Sequence, residues 1–381
     1  MNSKERVTAA LEPREPDRIP WGEFAVDHDT VARIIGHETF LRAKAASQIA
    51  FWEGRRDEVV QSWREDTIEL HSKLPVFDIV NLAVSCGGLA PPKGYEPEAP
   101  EKIEDGAWRY PDGRVLKHSE VTGDITCVED PDRWTREFRA EDYEGEVNVE
   151  PPDPSVFEVV DAVIDALGDE KYIIGPSGGE VGMVLLGGME RGLTEFITNP
   201  EAVKAAARRG LAYANASDQH LIRPAQQAVM WGQDYSYKSG PLISPGMFRE
   251  FALPALAERA RRVHERGLKV CKHCCGNNWQ LLDMFVEIGF DCYQSIQPTA
   301  EMDLAEVKSR YGDRIALWGG VPVEALVSGT TDEVAEEVRR ACEVGGPGGG
   351  YIFGSSHSIA VGTKYDNFMT MVDEFEKHRD L

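Results

Sequence analysis

The sequence has no long run of apolar residues. No window approaches the roughly 20 apolar residues that a membrane-spanning helix requires. The first stretch, MNSKERVTAALEPREPDRIP, has no apolar core before a cleavage site, which a secretory signal would need. We therefore expect a soluble, cytoplasmic protein with no membrane partner.

Basic residues are scarce. Lys and Arg together number 41 against 65 for Asp and Glu, which gives a formal net charge of −24. Such a surface repels phosphate polyanions unless a local basic patch exists. The longest basic clusters are the pairs Arg55-Arg56 and Arg261-Arg262, which are typical of solvated helix faces. We therefore expect no nucleic-acid partner.

Cysteines are few and unevenly spaced. There are seven, an odd number, and three of them lie close together at Cys271, Cys274 and Cys275. This pattern is a poor disulfide framework and fits a reducing compartment. The other cysteines lack the close pairs of a structural four-cysteine zinc site. They are Cys86, Cys127, Cys292 and Cys342.

The sequence does contain a repeated rhythm of strand then helix from about residue 157 onward. Ser244-Pro245, and Thr330 with Glu333, are helix-start signals between the β-rich runs. Repeated units of this kind predict parallel strands joined by right-handed crossovers. The six runs are KYIIGPS (171–177), QAVMWGQD (227–234), LKVCKHCC (268–275), FDCYQSIQ (290–297), RIALWGG (314–320) and GYIFGSS (350–356).

Two earlier runs, DRIPWGEFA (17–25) and FDIVNLAVS (77–85), raise the number of candidate strands to eight. Eight parallel strands close a barrel, so we predict an α/β protein with a (β/α)8 TIM-barrel fold and a single domain over 1–381. An open doubly wound sheet needs its phosphate-binding glycines directly after a strand. The glycine-rich run GGPGGG (345–350) instead follows a predicted helix, where it indicates a helix end and a loop.

Residues 86–155 interrupt this rhythm with prolines, glycines and charges. Within them, Pro111-Asp112-Gly113 carries the turn signal of a β-hairpin. We interpret 86–155 as an inserted cap or lid over one end of the barrel, in the N-terminal third of the chain.

Polar side chains follow nearly every predicted strand. Because the active site of a parallel barrel is built from the C-terminal ends of its strands, we expect a catalytic rim at this end. The residues concerned are Ser177 and Glu180, Asp234 with Tyr237 and Lys238, His273 and Cys275, Gln294 and Gln297, Gly319-Gly320, and Ser356-His357.

The stretch VCKHCCGN (270–277) contains the strongest candidate for a metal site. Side chains alternate between the two faces of a strand, so His273 and Cys275 share one face and Cys274 projects to the other. Cys274 then has the parity of Val270 and packs against the helical layer. The pair His273 and Cys275 indicates a metal site, with a hydrogen-bonded polar core and a reactive thiolate–imidazole pair as the alternatives.

A catalytic zinc site needs more than two ligands. Such sites commonly have three protein ligands and one open position. His357, at the exit of the last strand, is our leading third ligand. Glu180 and Asp234 are oxygen donors behind it.

Several stretches resemble the uroporphyrinogen decarboxylase superfamily, and within it the corrinoid-dependent methyltransferases. They cover the first twenty residues and the C-terminal two-thirds of the chain. The resemblance implies a (β/α)8 barrel, in agreement with the strand count. The stretches are KERVTAALEPREPDRIP, WGQDYSYKSGPLISPGMFREFALP, GLKVCKHCCGN, MDLAEVKSRYGDRIALWGGVPV and GGGYIFGSSHSI.

The resemblance also distinguishes two branches by their chemistry. The decarboxylase branch needs no metal and begins with a Met-Arg-Gln-Ala-Gly-Arg motif, whereas the corresponding region here reads WGEFAVDHDTVARIIG. The methyltransferase branch carries zinc on a His-Xaa-Cys strand end, which His273-Cys274-Cys275 fits, and on a third ligand near the last strand. That ligand is a cysteine in thiol-methylating members, but this sequence has GSSHS, with His357 as the substitute.

The remaining similarity is to the substrate-side methyltransferases of O-demethylase systems. It implies a Zn²⁺-dependent transfer of a methyl group from a methoxylated substrate, an aryl methyl ether, to the cobalt(I) of a separate corrinoid protein. In this reading His273 and Cys275 hold the metal and His357 or Glu180 completes the set. Asp234, with Lys238 nearby, orients the substrate or supports a ligand.

Three other functions stay open at this point. They are methyl transfer from methylcobalamin to a thiol, a metal-free decarboxylation, and non-catalytic binding of a corrinoid or tetrapyrrole. The sequence has no Asp-Xaa-His-Xaa-Xaa-Gly pattern, so we expect the cobalamin to arrive on a partner protein. Whether two chains form a homodimer is also open.

Overall fold

The computed structural model describes residues 1–84 and 88–380, so Cys86, the first residue of the predicted insertion, lies outside the described residues. The described strands are β1 (Ile79–Asn81), β2 (Glu101–Glu104), β3 (Ala107–Arg109), β4 (Val115–Ser119), β5 (Asp124–Glu129), β6 (Tyr172–Gly175), β7 (Ala228–Trp231), β8 (Ser236–Tyr237), β9 (Gly240–Pro241), β10 (Lys269–His273), β11 (Cys292–Ser295), β12 (Ala316–Gly319) and β13 (Tyr351–Ile352).

The described α-helices surround these strands and connect them. They are α1 (Ser3–Leu11), α2 (His28–Ile35), α3 (Lys44–Trp52), α4 (Arg56–Lys73), α5 (Glu158–Leu167), α6 (Met189–Thr198), α7 (Pro200–Leu221), α8 (Pro245–Phe251), α9 (Leu253–His264), α10 (Leu282–Ile288), α11 (Leu304–Tyr311), α12 (Val323–Ser328), α13 (Thr331–Gly345) and α14 (Tyr365–His378). No helix in the described part of the chain is long and apolar enough to cross a membrane.

Seven strands form one parallel sheet in the order β1-β6-β7-β10-β11-β12-β13. Consecutive barrel strands are therefore neighbours, as right-handed crossovers through helices require. Each of the seven predicted runs from residue 77 onward contains one of these strands. The α/β barrel prediction is confirmed.

The eighth position, predicted as a strand over 17–25, is filled differently. Phe353 N donates to Pro20 O (2.8 Å) and Gly22 N donates to Phe353 O (3.1 Å), while on the other side Asp78 N donates to Trp21 O (2.7 Å). These bonds close the barrel between β13 and β1. The segment pairs only as isolated bridges, and one reason is that Pro20 has no N–H to donate.

Two apolar layers flank the sheet. The inner layer fills the barrel with side chains that include Ile174, Met230, Cys271 and Trp318, and α1 packs against it. The outer layer joins the strands to the surrounding helices. This division follows the period-two alternation of strand side chains.

The predicted helix starts are present. Ser244 Oγ accepts from Met247 N (3.2 Å), and Pro245 is the first residue of α8. Glu333 N donates to Thr330 Oγ1 (3.3 Å) while Thr330 N donates to Glu333 Oε2 (2.8 Å), a reciprocal capping box that begins α13. Both caps satisfy N–H groups that have no partner inside the helix.

Much of the predicted insertion is a four-stranded antiparallel sheet, β2-β3-β4-β5. The turn around Asp112 lies between β3 and β4, where Tyr110 N donates to Arg114 O (2.9 Å). The start of β5 contacts α3, since Lys44 Nζ lies 3.4 Å from Asp124 Oδ2. The sheet thus touches the mouth of the barrel, and its action as a lid stays a prediction.

Candidate functional site

Three of the predicted metal ligands converge at the C-terminal end of the barrel strands. His273 ends β10, Cys275 follows it, and His357 lies beyond β13. One ligand atom from each residue lies within 4.8 Å of the others. His273 Nε2 is 3.5 Å from Cys275 Sγ, and the two imidazole ring centres are 5.4 Å apart.

A cavity of about 560 Å³ opens beside this cluster. It is formed by apolar residues on one side and by charged residues from the barrel loops and the inserted sheet on the other. The lining residues are Phe24, Arg42, Lys44, Ala83, Val84, Asp124, Met230, Gly232, Asp234, His273 and His357. Two of the three cluster residues therefore face a space large enough for a small organic molecule.

Strand parity places Cys274 on the face expected for it, and Cys271 lies on the other face. Cys271 belongs to the layer inside the barrel, whereas Cys274 packs in the outer layer with Leu268 and Val270. Cys274 Sγ donates to Asn278 Oδ1 (3.2 Å) and accepts from Tyr235 N (3.3 Å). The thiol of Cys274 is thus used in packing on the far side of the strand.

Gln294 fixes the orientation and tautomer of the His273 ring. Gln294 Nε2 donates to the carbonyl oxygen of Ser355 (3.2 Å), so its Oε1 faces the ring and accepts from His273 Nδ1. In the neutral ring the free lone pair is then on Nε2, the atom that faces Cys275. The ring is also stacked on Phe24, with ring centres 4.0 Å apart.

Sequence reasoning placed Gln294 at a strand end but gave it no role. The register of the sheet could have indicated its role, because His273 and Gln294 are partners on neighbouring strands. Phe24 was missed altogether. Phe24 lies near the end of the early run 17–25, and nothing in that run indicated that its ring would stack on a histidine.

Burial keeps the three cluster residues uncharged. It lowers the pKa of His273 to about 3 and that of His357 below its usual value, and it raises the pKa of Cys275 to about 12. The thiol proton therefore stays on sulfur, which disfavours the reactive thiolate–imidazole alternative. A divalent cation would reverse this preference, because thiolate is the form of cysteine that binds metal.

Asp234 lies at the rim of the cluster. Its Oδ1 accepts from Cys275 N (2.7 Å) and is 3.9 Å from His273 Nε2. Its side chain is half exposed and lines the cavity. Asp234 therefore fixes the backbone of Cys275 and leaves carboxylate surface accessible to a bound molecule.

Glu180 and Lys238 are not brought to the cluster. The Glu180 carboxylate accepts from Lys272 Nζ (2.6 Å), from the Tyr235 hydroxyl and from Gln233 N (2.9 Å). Lys272 points to the opposite face of β10 from His273, since neighbouring strand residues alternate. The expectation that Glu180 completes the metal ligands therefore has no support in its contacts.

Lys238 is exposed in the turn between β8 and β9, where Tyr237 pairs with Gly240. It does not line the cavity beside His273. A role for Lys238 in orienting a substrate there finds no geometric support.

A buried carboxylate beside the site makes stability depend on pH. Glu23 accepts from Trp21 Nε1 (2.7 Å) and from Ser355 Oγ (2.5 Å) and N, and burial raises its pKa to about 7. Between about pH 4.5 and pH 7 the unfolded chain releases a proton that the folded chain keeps. The free energy of unfolding therefore falls as the pH rises through this range.

We expect the free energy of unfolding of wild type to fall by about 2–3 kcal/mol relative to Glu23→Gln between about pH 5 and pH 8. Urea unfolding of both proteins at the two pH values measures the difference. A constant difference at both pH values would show that Glu23 ionises normally.

The comparisons with known proteins agree with this fold. The family model described as uroporphyrinogen decarboxylase (URO-D) matches residues 129–378. A uroporphyrinogen decarboxylase of Aromatoleum aromaticum is 28% identical over 253 residues, which cover 61% of this chain and 67% of that protein. One of Coxiella burnetii is 26% identical over 166 residues, 43% of each chain.

A solved structure extends the likeness beyond the matched region. The methyltransferase from Methanosarcina mazei superposes with a TM-score of 0.62 over 99% of both chains at 17% sequence identity. This likeness shows a shared fold over the whole chain. Since the family model covers well over half of the sequence, the chain belongs to the uroporphyrinogen decarboxylase family.

Proposed function

We propose that this chain is a zinc-dependent methyltransferase that moves a methyl group from an aryl methyl ether to the cobalt(I) of a separate corrinoid protein. The observation that carries the proposal is the convergence of His273, Cys275 and His357 beside an open cavity. The shared fold with a protein described as a methyltransferase supports it.

The donor set fits zinc. Two imidazoles and one thiol suit a borderline cation, and three protein ligands with one open position are typical of catalytic zinc. The hydrogen bond to Gln294 leaves His273 Nε2 free to coordinate. When bound, zinc supplies a Lewis acid at the ether oxygen, where negative charge develops as the methyl group leaves.

The remaining residues of the site bind and orient. Gln294 and Phe24 hold the His273 ring, and Asp234 holds the backbone at Cys275. Phe24 and Met230 offer apolar surface for an aromatic ring in the cavity. Such positioning supports methyl transfer because the acceptor must approach the methyl carbon in line with the leaving oxygen.

Decarboxylation of a tetrapyrrole is the second candidate, because relatives of this chain are described as uroporphyrinogen decarboxylases. A substrate with many carboxylates needs several cationic partners. The basic residues that line the cavity are Arg42, which is paired with Asp27 (2.9 Å), and Lys44, which is near Asp124. This lining favours a less charged substrate.

A direct assay separates these functions. Purified protein is analysed for metal and then mixed with a cobalt(I) corrinoid and a series of methoxylated arenes, while the visible spectrum reports methylation of cobalt. We expect bound zinc and ether-dependent loss of cobalt(I). Methylation of a thiol from methylcobalamin, or release of carbon dioxide from a tetrapyrrole without ether demethylation, would contradict the proposal.

A further inference from the structure

A second cluster of ligand-type side chains lies on the outside of the helical layer. His37 follows Gly36, which ends α2 with φ of +91°. Asp66 and Glu69 are three residues apart on α4 and therefore share one face of that helix. His37 Nε2 is 3.3 Å from Glu69 Oε2 and 3.9 Å from Asp66 Oδ1.

The hydrogen bonding of His37 fixes which of its ring nitrogens carries the proton. His37 Nδ1 lies 2.9 Å from the carbonyl oxygen of Glu38. A carbonyl only accepts, so Nδ1 carries the ring proton and Nε2 of the neutral ring carries a lone pair. That lone pair faces two carboxylates, which are acceptors as well. A proton on Nε2, or a cation bound at this point, would satisfy all three acceptors at once.

Asp66 is a buried carboxylate held in place beside His37. Its side chain is only 6% exposed, and Oδ2 accepts from Thr39 Oγ1 and Ser62 Oγ at 2.5 Å each. Its other oxygen, Oδ1, lies 3.9 Å from His37 Nε2. Because two hydroxyl donors hold Oδ2, Oδ1 is fixed in position beside His37 for a cation.

Glu69 is arranged in the same way. Its Oε1 is 2.9 Å from Lys73 Nζ on the next turn of α4, which leaves Oε2 for the shared point. Each residue of the cluster thus has one polar atom held by the protein and one directed at its two neighbours. Residues with fixed outer contacts of this kind make preorganised metal ligands.

We propose that His37, Asp66 and Glu69 form a second metal site, for a divalent cation of the zinc, cobalt and nickel class. Donor atoms about 2.1 Å from one tetrahedral ion lie about 3.4 Å apart, close to the separations His37 makes. The imidazole favours these ions over calcium and magnesium. Glu38, Glu58 and Glu65 line the adjoining cavity and attract cations.

Cobalt(II) titration of the full-length protein tests the site. Cobalt bound at Cys275 gives a thiolate charge-transfer band, whereas the second site has only nitrogen and oxygen donors. We expect Cys275→Ser to bind cobalt without this band. Adding His37→Ala should remove one equivalent, with affinity reduced roughly tenfold or more. The matched control is Glu65→Gln on the same helix and cavity, which should bind as before.

His37 is half exposed, so its replacement should leave the far-ultraviolet circular dichroism unchanged, and Glu69→Gln gives a second test of the same point. No cobalt bound by Cys275→Ser would show that a proton alone joins the three groups and would overturn the proposal. Equal loss of binding in Glu65→Gln and His37→Ala would also overturn it, because it would indicate general attraction to an acidic surface.

Discussion

Replacing Cys275 by serine should remove bound zinc and reduce methyl transfer by more than about a hundredfold. Substitutions outside the ligand set already cost about 10–100-fold in metal affinity or activity, and Cys275 is proposed as a direct ligand. A serine hydroxyl ionises far less readily than a thiol and is a poor zinc ligand. Elemental analysis of the purified variant, with the cobalt(I) assay, measures both effects.

Cys274→Ala is the matched control. Cys274 is adjacent in sequence and buried, but its sulfur lies in the outer layer with Asn278 and Tyr235. We expect this variant to keep its zinc and most of its activity, with some loss of stability from the lost contacts. Zinc retained by Cys275→Ser at the wild-type level would remove Cys275 from the ligand set, and with it the central support for the proposed function.

The sequence was sufficient to predict the position of the three clustered residues. Period-two alternation put His273 and Cys275 on one face, and the order of strands put His357 at the same end of the barrel. Residues of a parallel barrel that leave their strands at this end must meet around its mouth. Alternation and strand order are properties of the local sequence, so they required no knowledge of tertiary contacts.

The roles of residues in the loops were not predictable in this way. Glu180 leaves its strand in the right region, but its carboxylate is drawn behind the sheet by Lys272. The signal was a lysine within the apolar run LKVCKHCC, since a charge inside a buried strand needs a partner. Pro20 similarly reduced the first predicted strand to isolated bridges, because it has no N–H for a ladder.

The ion pair between Lys272 and Glu180 leads to the second large expected effect. Their side chains are 0% and 8% exposed, and Lys272 Nζ is 2.6 Å from Glu180 Oε1. Lys272 also donates to Gln233 O (2.7 Å), and Glu180 accepts from Gln233 N (2.9 Å). The backbone N–H and the carbonyl group of Gln233 are thus both held, directly before Asp234, whose carboxylate fixes the backbone of Cys275. The pair therefore supports the site from behind the sheet.

We expect Lys272→Met to lower the free energy of unfolding by about 3–5 kcal/mol, because it leaves the Glu180 carboxylate buried without its charged partner. The double variant Lys272→Met with Glu180→Gln should recover part of this loss, since no charge then remains buried. Urea unfolding measures all three proteins.

Arg249→Met is the control, because it breaks an exposed ion pair with Glu287 whose side chains are 54% and 47% exposed. A pair of this kind contributes only about 0–1 kcal/mol. If Lys272→Met lowered the free energy of unfolding by no more than Arg249→Met does, the ion pair of Lys272 and Glu180 would be as well solvated as one on the surface. If the double variant were as unstable as Lys272→Met, the lost hydrogen bond from Lys272 Nζ to Gln233 O would account for the instability. A higher free energy of unfolding in the double variant than in Lys272→Met is the result that indicates a need of the buried Glu180 charge for its partner. The backbone before Asp234 then depends on that partner as well.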